Sequence, residues 1–274
     1  MNFTIALIVS LTLFSCTQLR NEKGELALPG SLKEAVNSSS RAPENEQRDE
    51  HQHPLETLEF FGLRPQMTVV EITPGAGYYT EIMAPYLSRQ GQYLVVVPRL
   101  PSNPPPFMIE NEKKLQEIIL RHQEVQAKTR IIPFEPLSAR NRTKPAIADL
   151  VISISSVHNW VATGTTKMAF KLFYDLLKPG GVLGIVQHRA PVGKKITQKS
   201  GYMTETAVIT LAKKAGFKFL GKAEINANPK DTADYPDGVW TLPPVYRLGE
   251  KDREKYEDIG ESDRMTLKFE KLKN

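Results

Sequence analysis

The sequence predicts an α/β fold built on a doubly wound, mostly parallel sheet of seven strands. Short runs rich in Val, Ile and Leu alternate with segments that place apolar residues at helical spacing. The runs are apolar throughout, which is typical of parallel strands covered on both faces. We predict strands at residues 67–72, 93–97, 130–134, 149–154, 182–186, 217–225 and 265–269.

The predicted helices lie between these strands. A short helix before the first strand is stopped by Gly62, and longer helices are predicted at residues 79–88, 109–128, 165–177 and 204–215. Ligands bind beyond the carboxyl ends of the strands in such sheets. We therefore expect one cleft, surrounded by the turns that follow Ile72, Val97, Phe134, Ile154 and Val186.

The composition argues against several classes of function. The 274 residues include 36 Lys and Arg against 31 Asp and Glu, without an arginine-rich run, so nucleic acid is not an expected partner. Cys16 is the only cysteine, which excludes a disulfide framework and a cysteine-based metal site. No histidine pair has the local spacing of metal ligands, so we expect no metal.

The first sixteen residues have the pattern of an export signal. An apolar run at residues 3–14 has the length of a signal-peptide core and is too short for an ordinary membrane span. It ends in Leu13-Phe14-Ser15-Cys16, which resembles a bacterial lipobox and implies diacylation of the Cys16 thiol. A plain secretory signal and a buried helix without export are the alternatives.

This pattern divides the chain into three predicted parts. Residues 1–15 are a signal peptide, residues 16–52 a lipidated and flexible tether of strong polarity, and residues 53–274 the folded domain. The composition leaves open whether the end of the tether packs on the domain. The predicted protein is exported and anchored to a membrane through its N-terminus, facing the periplasm or the cell exterior.

The turn after the first strand indicates a ligand site. Gly75 and Gly77 permit close approach of a ligand to the backbone, next to free N–H groups at the start of a helix. A dinucleotide-binding loop would have a third glycine where Thr80 stands, and Glu71 would repel a pyrophosphate. The pattern favours a positively charged ligand without phosphate. A tight strand-to-helix connection with no ligand is the alternative.

Three landmarks together resemble the class I S-adenosylmethionine-dependent methyltransferases. They are the Glu-x-x-Pro-Gly-x-Gly pattern that begins at Glu71, Asp149 opening the fourth strand, and Leu177-Lys178-Pro179-Gly180-Gly181 before the fifth. Further segments from residue 53 to 271 resemble a group of predicted bacterial methyltransferases, many with export signals; they include His158-Asn159-Trp160, Gln187-His188-Arg189-Ala190 and Gly260-Glu261-Ser262-Asp263-Arg264-Met265.

The resemblance implies positions for S-adenosylmethionine as the cofactor. Glu135 would lie near its adenine, and Ser155 and Ser156 near its sulfonium. Its methionine part would face Glu71, Thr73, Gly75, Ala76, Gly77 and Tyr78. The chain departs from the family after the second strand, where Pro98 and Arg99 replace the acid that usually binds the ribose hydroxyls.

Two histidines are the candidate catalytic residues. His158 follows the fourth strand and His188 the fifth, and an imidazole can accept a proton at neutral pH. The predicted acceptor site contains Trp160 for stacking, Arg189 for an anionic group, and Asn159 and Tyr202. The alternative is that these side chains only support the loops.

The Pro-rich stretch at residues 226–263 is either a lid over the cleft or a packed surface excursion. As a lid it would offer Asp231, Asp234, Tyr235, Asp237 and Trp240 to an acceptor.

Two functions from different classes follow. The first is a methyltransferase acting on a small-molecule acceptor. The second is an exported lipoprotein that keeps the fold and binds a ligand without catalysis; the missing acid after the second strand favours it.

Overall fold

Seven strands form one sheet in the computed structural model, which describes residues 28–134, 146–194 and 197–273. They are β1 (Thr68–Ile72), β2 (Gln92–Pro98), β3 (Thr129–Phe134), β4 (Ala148–Ile154), β5 (Leu177–His188), β6 (Phe217–Ala223) and β7 (Arg264–Lys271). The order across the sheet is β3-β2-β1-β4-β5-β7-β6. The first five strands are parallel, and β7 is antiparallel to both β5 and β6. The predicted fold class is confirmed.

Helices cover both faces of this sheet. They are α1 (Leu32–Val36), α2 (Pro43–Glu46), α3 (Asp49–Gln52), α4 (Pro54–Phe61), α5 (Thr80–Ser88), α6 (Pro106–Leu120), α7 (Gln123–Lys128), α8 (Val157–Ala162), α9 (Thr166–Leu176), α10 (Glu205–Lys214) and α11 (Arg253–Ile259). The helix predicted at residues 109–128 is two helices, because His122 adopts an extended conformation between them. Within the described ranges, no helix is both long and apolar enough to cross a bilayer.

Alternate residues of each central strand enter two separate hydrophobic cores. Val69 packs with α1, α4, α5, α6 and α7 on one face, whereas Val70 packs with α8, α9 and α10 on the other. Both side chains are fully buried. This double burial explains why the strands have continuous apolar sequences instead of an alternation of apolar and polar residues.

The N-terminal segment is packed from residue 28 onward. Leu32 and Val36 of α1 are buried against α5. The buried Arg41 guanidinium binds the Asp49 carboxylate at 2.6 Å and the carbonyl oxygen of Val36. The prediction of a flexible tether is therefore corrected for residues 28–52, since ion pairs hold this polar stretch where apolar periodicity is weak. Cys16 and the predicted signal peptide lie outside the described residues.

Candidate functional site

The chain leaves β1 and β4 in opposite directions and opens a crevice between them. Strand β1 continues toward α5 on one face, and β4 toward α8 on the other. The first residue after each strand, Thr73 (φ 56°) and Ser155 (φ 49°), has left-handed backbone. Such conformations cost about 1–3 kcal/mol each in non-glycine residues and concentrate at functional sites. This is the switch point at which ligands bind in open α/β sheets.

The two glycines of the turn after β1 have different surroundings. Both are left-handed, with φ of 60° at Gly75 and 91° at Gly77. A Cβ atom at Gly77 would lie 2.5 Å from Cδ1 of Ile118, so this glycine lets α6 pack onto the turn. A Cβ atom at Gly75 would meet no atom within 4 Å. The turn is therefore open at Gly75, and no described side chain of the protein fills that space.

Glu71 lies beneath this turn as a buried carboxylate that lines the cavity. Its Oε2 accepts hydrogen bonds from the hydroxyl groups of Thr80, at 2.8 Å, and Tyr93. Burial raises the pKa of the Glu71 carboxyl to about 7, although both hydrogen bonds act in the opposite direction. A cation bound beside it would favour the ionised form. Sequence reasoning identified Glu71 but missed both partners, which tertiary packing brings to it.

The crevice contains two adjoining compartments, with volumes of about 340 and 540 Å³. Both are bordered by Thr73 and Gly75 on the β1 side, and by Ser156 and Asn159 on the β4 side. The first compartment extends over the end of β2 and Ile131 of β3, and the second over the end of β5 and the residues that lead into β7. Ligands in the two compartments would therefore meet in the gap that has Thr73 and Gly75 on one side and Ser156 and Asn159 on the other.

The first compartment is mainly apolar. Its side chains include Val97, Leu100, Phe107, Met108, Ile131 and Trp160. Asn111 and Glu112 of α6 add polar oxygens, whereas β2 ends in Pro98. Trp160, which we predicted at the acceptor, lies in this compartment and not in the second. Glu135, the predicted adenine neighbour, lies outside the described residues.

His158 is a hydrogen-bond donor toward the second compartment. The N–H group of Val157 donates to Oε1 of Gln187, so the amide nitrogen of Gln187 faces Gly201 O and Nδ1 of His158, each at 3.1 Å. Because that nitrogen only donates, Nδ1 of His158 accepts, and the neutral imidazole carries its proton on Nε2. Burial also lowers the pKa of His158.

His188 adjoins His158, with 5.5 Å between the ring centroids. Its Nδ1 lies 2.6 Å from the Ser262 hydroxyl oxygen. Burial lowers the pKa of His188 well below its usual value, and His158 and Arg264 lower it further. Both imidazoles are therefore neutral at neutral pH. The structure brings together the two histidines that the sequence singled out.

A buried ionic cluster lines part of the second compartment. The Glu261 carboxylate binds Arg48 Nε and an Arg264 terminal nitrogen, each at 2.6 Å, and accepts a further bond from Gln52. Burial alone would raise the pKa of Glu261, but Arg264 and Arg48 hold it at about 2. The cluster joins the N-terminal segment to the chain before β7. Sequence reasoning missed it, although the Glu261-x-x-Arg264 spacing was a visible signal.

Two predicted site residues lie elsewhere. The Arg189 guanidinium is paired with the carboxylates of Asp263, Glu205 and Glu224 at 2.5–3.1 Å, so its charge is already neutralised. The Tyr202 hydroxyl donates to the Asp231 carboxylate at 2.9 Å. Neither Arg189 nor Tyr202 lines the compartments formed by the described residues. Their predicted roles at the acceptor are corrected to structural ones.

The remaining predicted residues do line the second compartment. These are Glu71, Thr73, Gly75, Ala76, Tyr78, Ser155, His158, Asn159 and His188. Gly77 lies behind the turn, packed on α6. The long stretch between β6 and β7 contributes Trp240, whose ring is 5.6 Å from that of His158; the four other side chains that we expected to face an acceptor do not line it. The described residues contain no cluster of three or more side chains suited to a metal ion.

Comparison with known proteins supports the architecture and goes no further than the fold. No family model matches this chain. No curated protein matches it either. Among solved structures it is similar to a SAM-dependent methyltransferase from Aquifex aeolicus, at 13% identity and a TM-score of 0.55, covering 89% of this chain and 100% of that one.

Two further structures show the same likeness. A putative sarcosine dimethylglycine methyltransferase from Galdieria sulphuraria has 13% identity and a TM-score of 0.53, with 94% of this chain and 92% of that chain covered. The cyclase SpnF has 14% identity and a TM-score of 0.55, with 89% and 92% covered. The inclusion of a cyclase shows that this fold serves more than one reaction. The chain described here has the class I methyltransferase fold.

Proposed function

We propose that the protein is an S-adenosylmethionine-dependent methyltransferase whose acceptor is a small molecule in the second compartment. The observation that carries the proposal is the buried Glu71 carboxylate, which lines the cavity beneath a glycine turn open at Gly75. An anionic group and an open backbone turn fit a cationic ligand without phosphate. The class I methyltransferase fold supports the same cofactor.

The residues present fit that cofactor along the whole crevice. Glu71 would hold its ammonium group at the β1 side of the second compartment, and the backbone at Gly75 would lie against its methionine chain, which leaves the part of that compartment beside β5 to the acceptor. The apolar side chains of the first compartment would enclose the adenine. Asn111 and Glu112 would bind the ribose hydroxyls in place of the acid that is absent after β2. When bound, S-adenosylmethionine supplies an electrophilic methyl group.

The chain's own side chains then position the acceptor and exclude water. Ser156 and Asn159 border both compartments, so the methyl group of the cofactor and the acceptor would meet beside these two residues. The Nε2–H of His158 would donate a hydrogen bond to the acceptor. Holding the methyl group and the acceptor in one fixed geometry would accelerate the transfer.

Calorimetric titration of the purified full-length chain tests the cofactor. We expect S-adenosylmethionine and S-adenosylhomocysteine to bind with one site per chain, and NADH not to bind. Absence of binding at millimolar S-adenosylmethionine and S-adenosylhomocysteine overturns the proposal. Binding of both compounds without turnover of any acceptor favours the alternative, a ligand-binding protein without catalysis.

We also propose that the protein is an exported lipoprotein anchored through Cys16. The support is the apolar run at residues 3–14 followed by the lipobox-like Leu13-Phe14-Ser15-Cys16. The Cys16→Ala variant is expected to leave the membrane fraction and to migrate differently on denaturing gels, because it cannot be diacylated or cleaved at that site. Unchanged fractionation and migration contradict lipidation.

A further inference from the structure

The second compartment has an excess of positive charge. Three arginines, Arg48, Arg247 and Arg264, line it, against the two carboxylates of Glu71 and Glu261 among the described residues. Glu71 lies at the end of β1, two strands away from the end of β5. Two strand spacings are about 10 Å. The compartment therefore has one positive charge in excess, and Glu71 lies away from the part of the compartment beside β5.

Arg247 is the arginine whose charge is left for a ligand. Arg48 and Arg264 share Glu261, whereas no ion pair involves Arg247 in the described part of the chain. Its guanidinium lies over the Trp240 ring, 4.7 Å from the centroid. Arg253, which lies similarly over Tyr246, differs in having two glutamate partners.

Trp240 connects this free cation to the histidine pair. The Arg247 guanidinium lies over the Trp240 indole. The centroid of the same indole is 5.6 Å from the centroid of the His158 ring. A flat ligand along this surface would meet a cation, an aromatic ring and the Nε2–H donor of His158. The Nε2–H group of His158 and the Arg247 guanidinium both favour a ligand with negatively charged oxygen atoms.

In the part of the compartment beside β5, away from Glu71, no described side chain is well placed to take a proton from the acceptor. Nδ1 of His158 is occupied by the Gln187 amide, and a proton on His188 would be repelled by Arg264. The Glu261 carboxylate is bound by two arginines. A hydroxyl or ammonium acceptor has to release a proton on methylation, whereas a carboxylate has none to release.

We propose that the ligand of the second compartment is an aromatic carboxylic acid bound as its carboxylate, attracted by Arg247 and lying against Trp240. Its identity as the methyl acceptor rests on the proposed function. The binding of the anion itself rests on the charges and the aromatic surface described above.

Binding of benzoate, benzamide and benzylamine to the full-length chain tests this ligand class, measured by saturation-transfer NMR at constant ionic strength with millimolar S-adenosylhomocysteine present, whose ammonium group would occupy Glu71. The three probes share a ring and differ in charge. We expect benzoate to bind at least fivefold more tightly than benzamide, and benzylamine more weakly still. Arg247→Gln should weaken benzoate at least threefold and leave benzamide unchanged, because an exposed cation acts mainly through charge. The matched control Arg253→Gln should change neither affinity.

Each other outcome has a defined meaning. Equal affinities for benzoate and benzamide, preference for benzylamine, or an unaltered benzoate affinity in Arg247→Gln overturn the proposed ligand class. If S-adenosylhomocysteine binds and benzoate does not, the ligand class fails and the methyltransferase proposal stands. If benzoate binds with the expected preference and S-adenosylhomocysteine does not bind, the methyltransferase proposal fails and the anion site stands.

Discussion

Replacing Glu261 by Gln is expected to lower the free energy of unfolding by about 3–5 kcal/mol, the usual cost of removing one partner from a buried ion pair. The substitution keeps the shape of the side chain and removes its charge. Arg264, only 2% exposed, then lies in the protein interior without a carboxylate. Arg48 loses the contact that holds the N-terminal segment against the chain before β7.

Urea unfolding followed by circular dichroism at pH 7 measures this loss. Glu257→Gln is the matched control, because Glu257 also pairs with an arginine, Arg253, but on the protein surface. Exposed pairs contribute little, so the control should unfold nearly as the parent does. Equal unfolding midpoints for Glu261→Gln and the parent would show that the cluster does not hold the fold together.

The pH dependence of stability gives a second signature of Glu261. Its pKa falls from an ordinary 4.5 to about 2 in the folded chain. The resulting stabilisation is therefore complete above pH 4.5 and is lost as the pH falls toward 2. The difference in stability between the parent and Glu261→Gln should shrink across this acidic range.

The sheet could be predicted because its determinants are local. Val69 and Val70 belong to a short β-branched run, and parallel strands covered on both faces need such runs. The meeting of His158 and His188 followed from the same rule, since parallel strands bring the residues after their carboxyl ends to one edge. Neither conclusion required knowledge of a distant contact.

The position of Arg189 could not be predicted in this way. It follows His188 directly, and successive side chains of an extended chain point to opposite sides. Its main partner, Asp263, directly precedes the antiparallel strand β7, 74 residues later in the chain. No local pattern encodes that pairing, so a charged residue near the cleft was assigned to the cleft.

The N-terminal segment was misjudged for a related reason. Arg41, Asp49 and Arg48 lie in a polar stretch without apolar periodicity, which is also the composition of flexible tethers. Arg41 and Asp49 pair with each other, and Arg48 pairs with Glu261, more than 200 residues away. Stabilisation by ion pairs is invisible to a search for hydrophobic faces.

The Glu71→Gln variant is expected to bind S-adenosylmethionine about 10- to 100-fold more weakly than the parent, the range for loss of a charge-assisted hydrogen bond. The glutamine side chain retains an oxygen that can accept hydrogen bonds from Thr80 and Tyr93, so the local packing is preserved. Calorimetry at pH 8 measures the affinity. Glu59→Gln, which removes the same charge from the exposed face of α4, is the matched control.

The same variant is expected to be more stable than the parent above pH 7. The pKa of Glu71 rises from 4.5 to about 7 on folding, so its contribution to stability is complete below pH 4.5 and is lost as the pH rises through 7. That loss amounts to roughly 3 kcal/mol for a fully buried group. The amide that replaces the carboxyl group does not ionise, so the variant does not undergo this loss.

Glu71→Gln is thus expected to lower the affinity for S-adenosylmethionine and to raise the stability of the fold. This combination distinguishes a carboxylate that binds the ligand from one that only stabilises the fold. A variant that lost affinity because its site had unfolded would also lose stability. In the parent, affinity for a cationic ligand should rise as the pH increases through 7, where Glu71 ionises, and in Glu71→Gln it should be flat. Unchanged affinity for S-adenosylmethionine in the variant would mean that Glu71 does not contact the ligand. A buried carboxylate that touches a cationic ligand stabilises it by its charge, so removing that charge has to weaken binding.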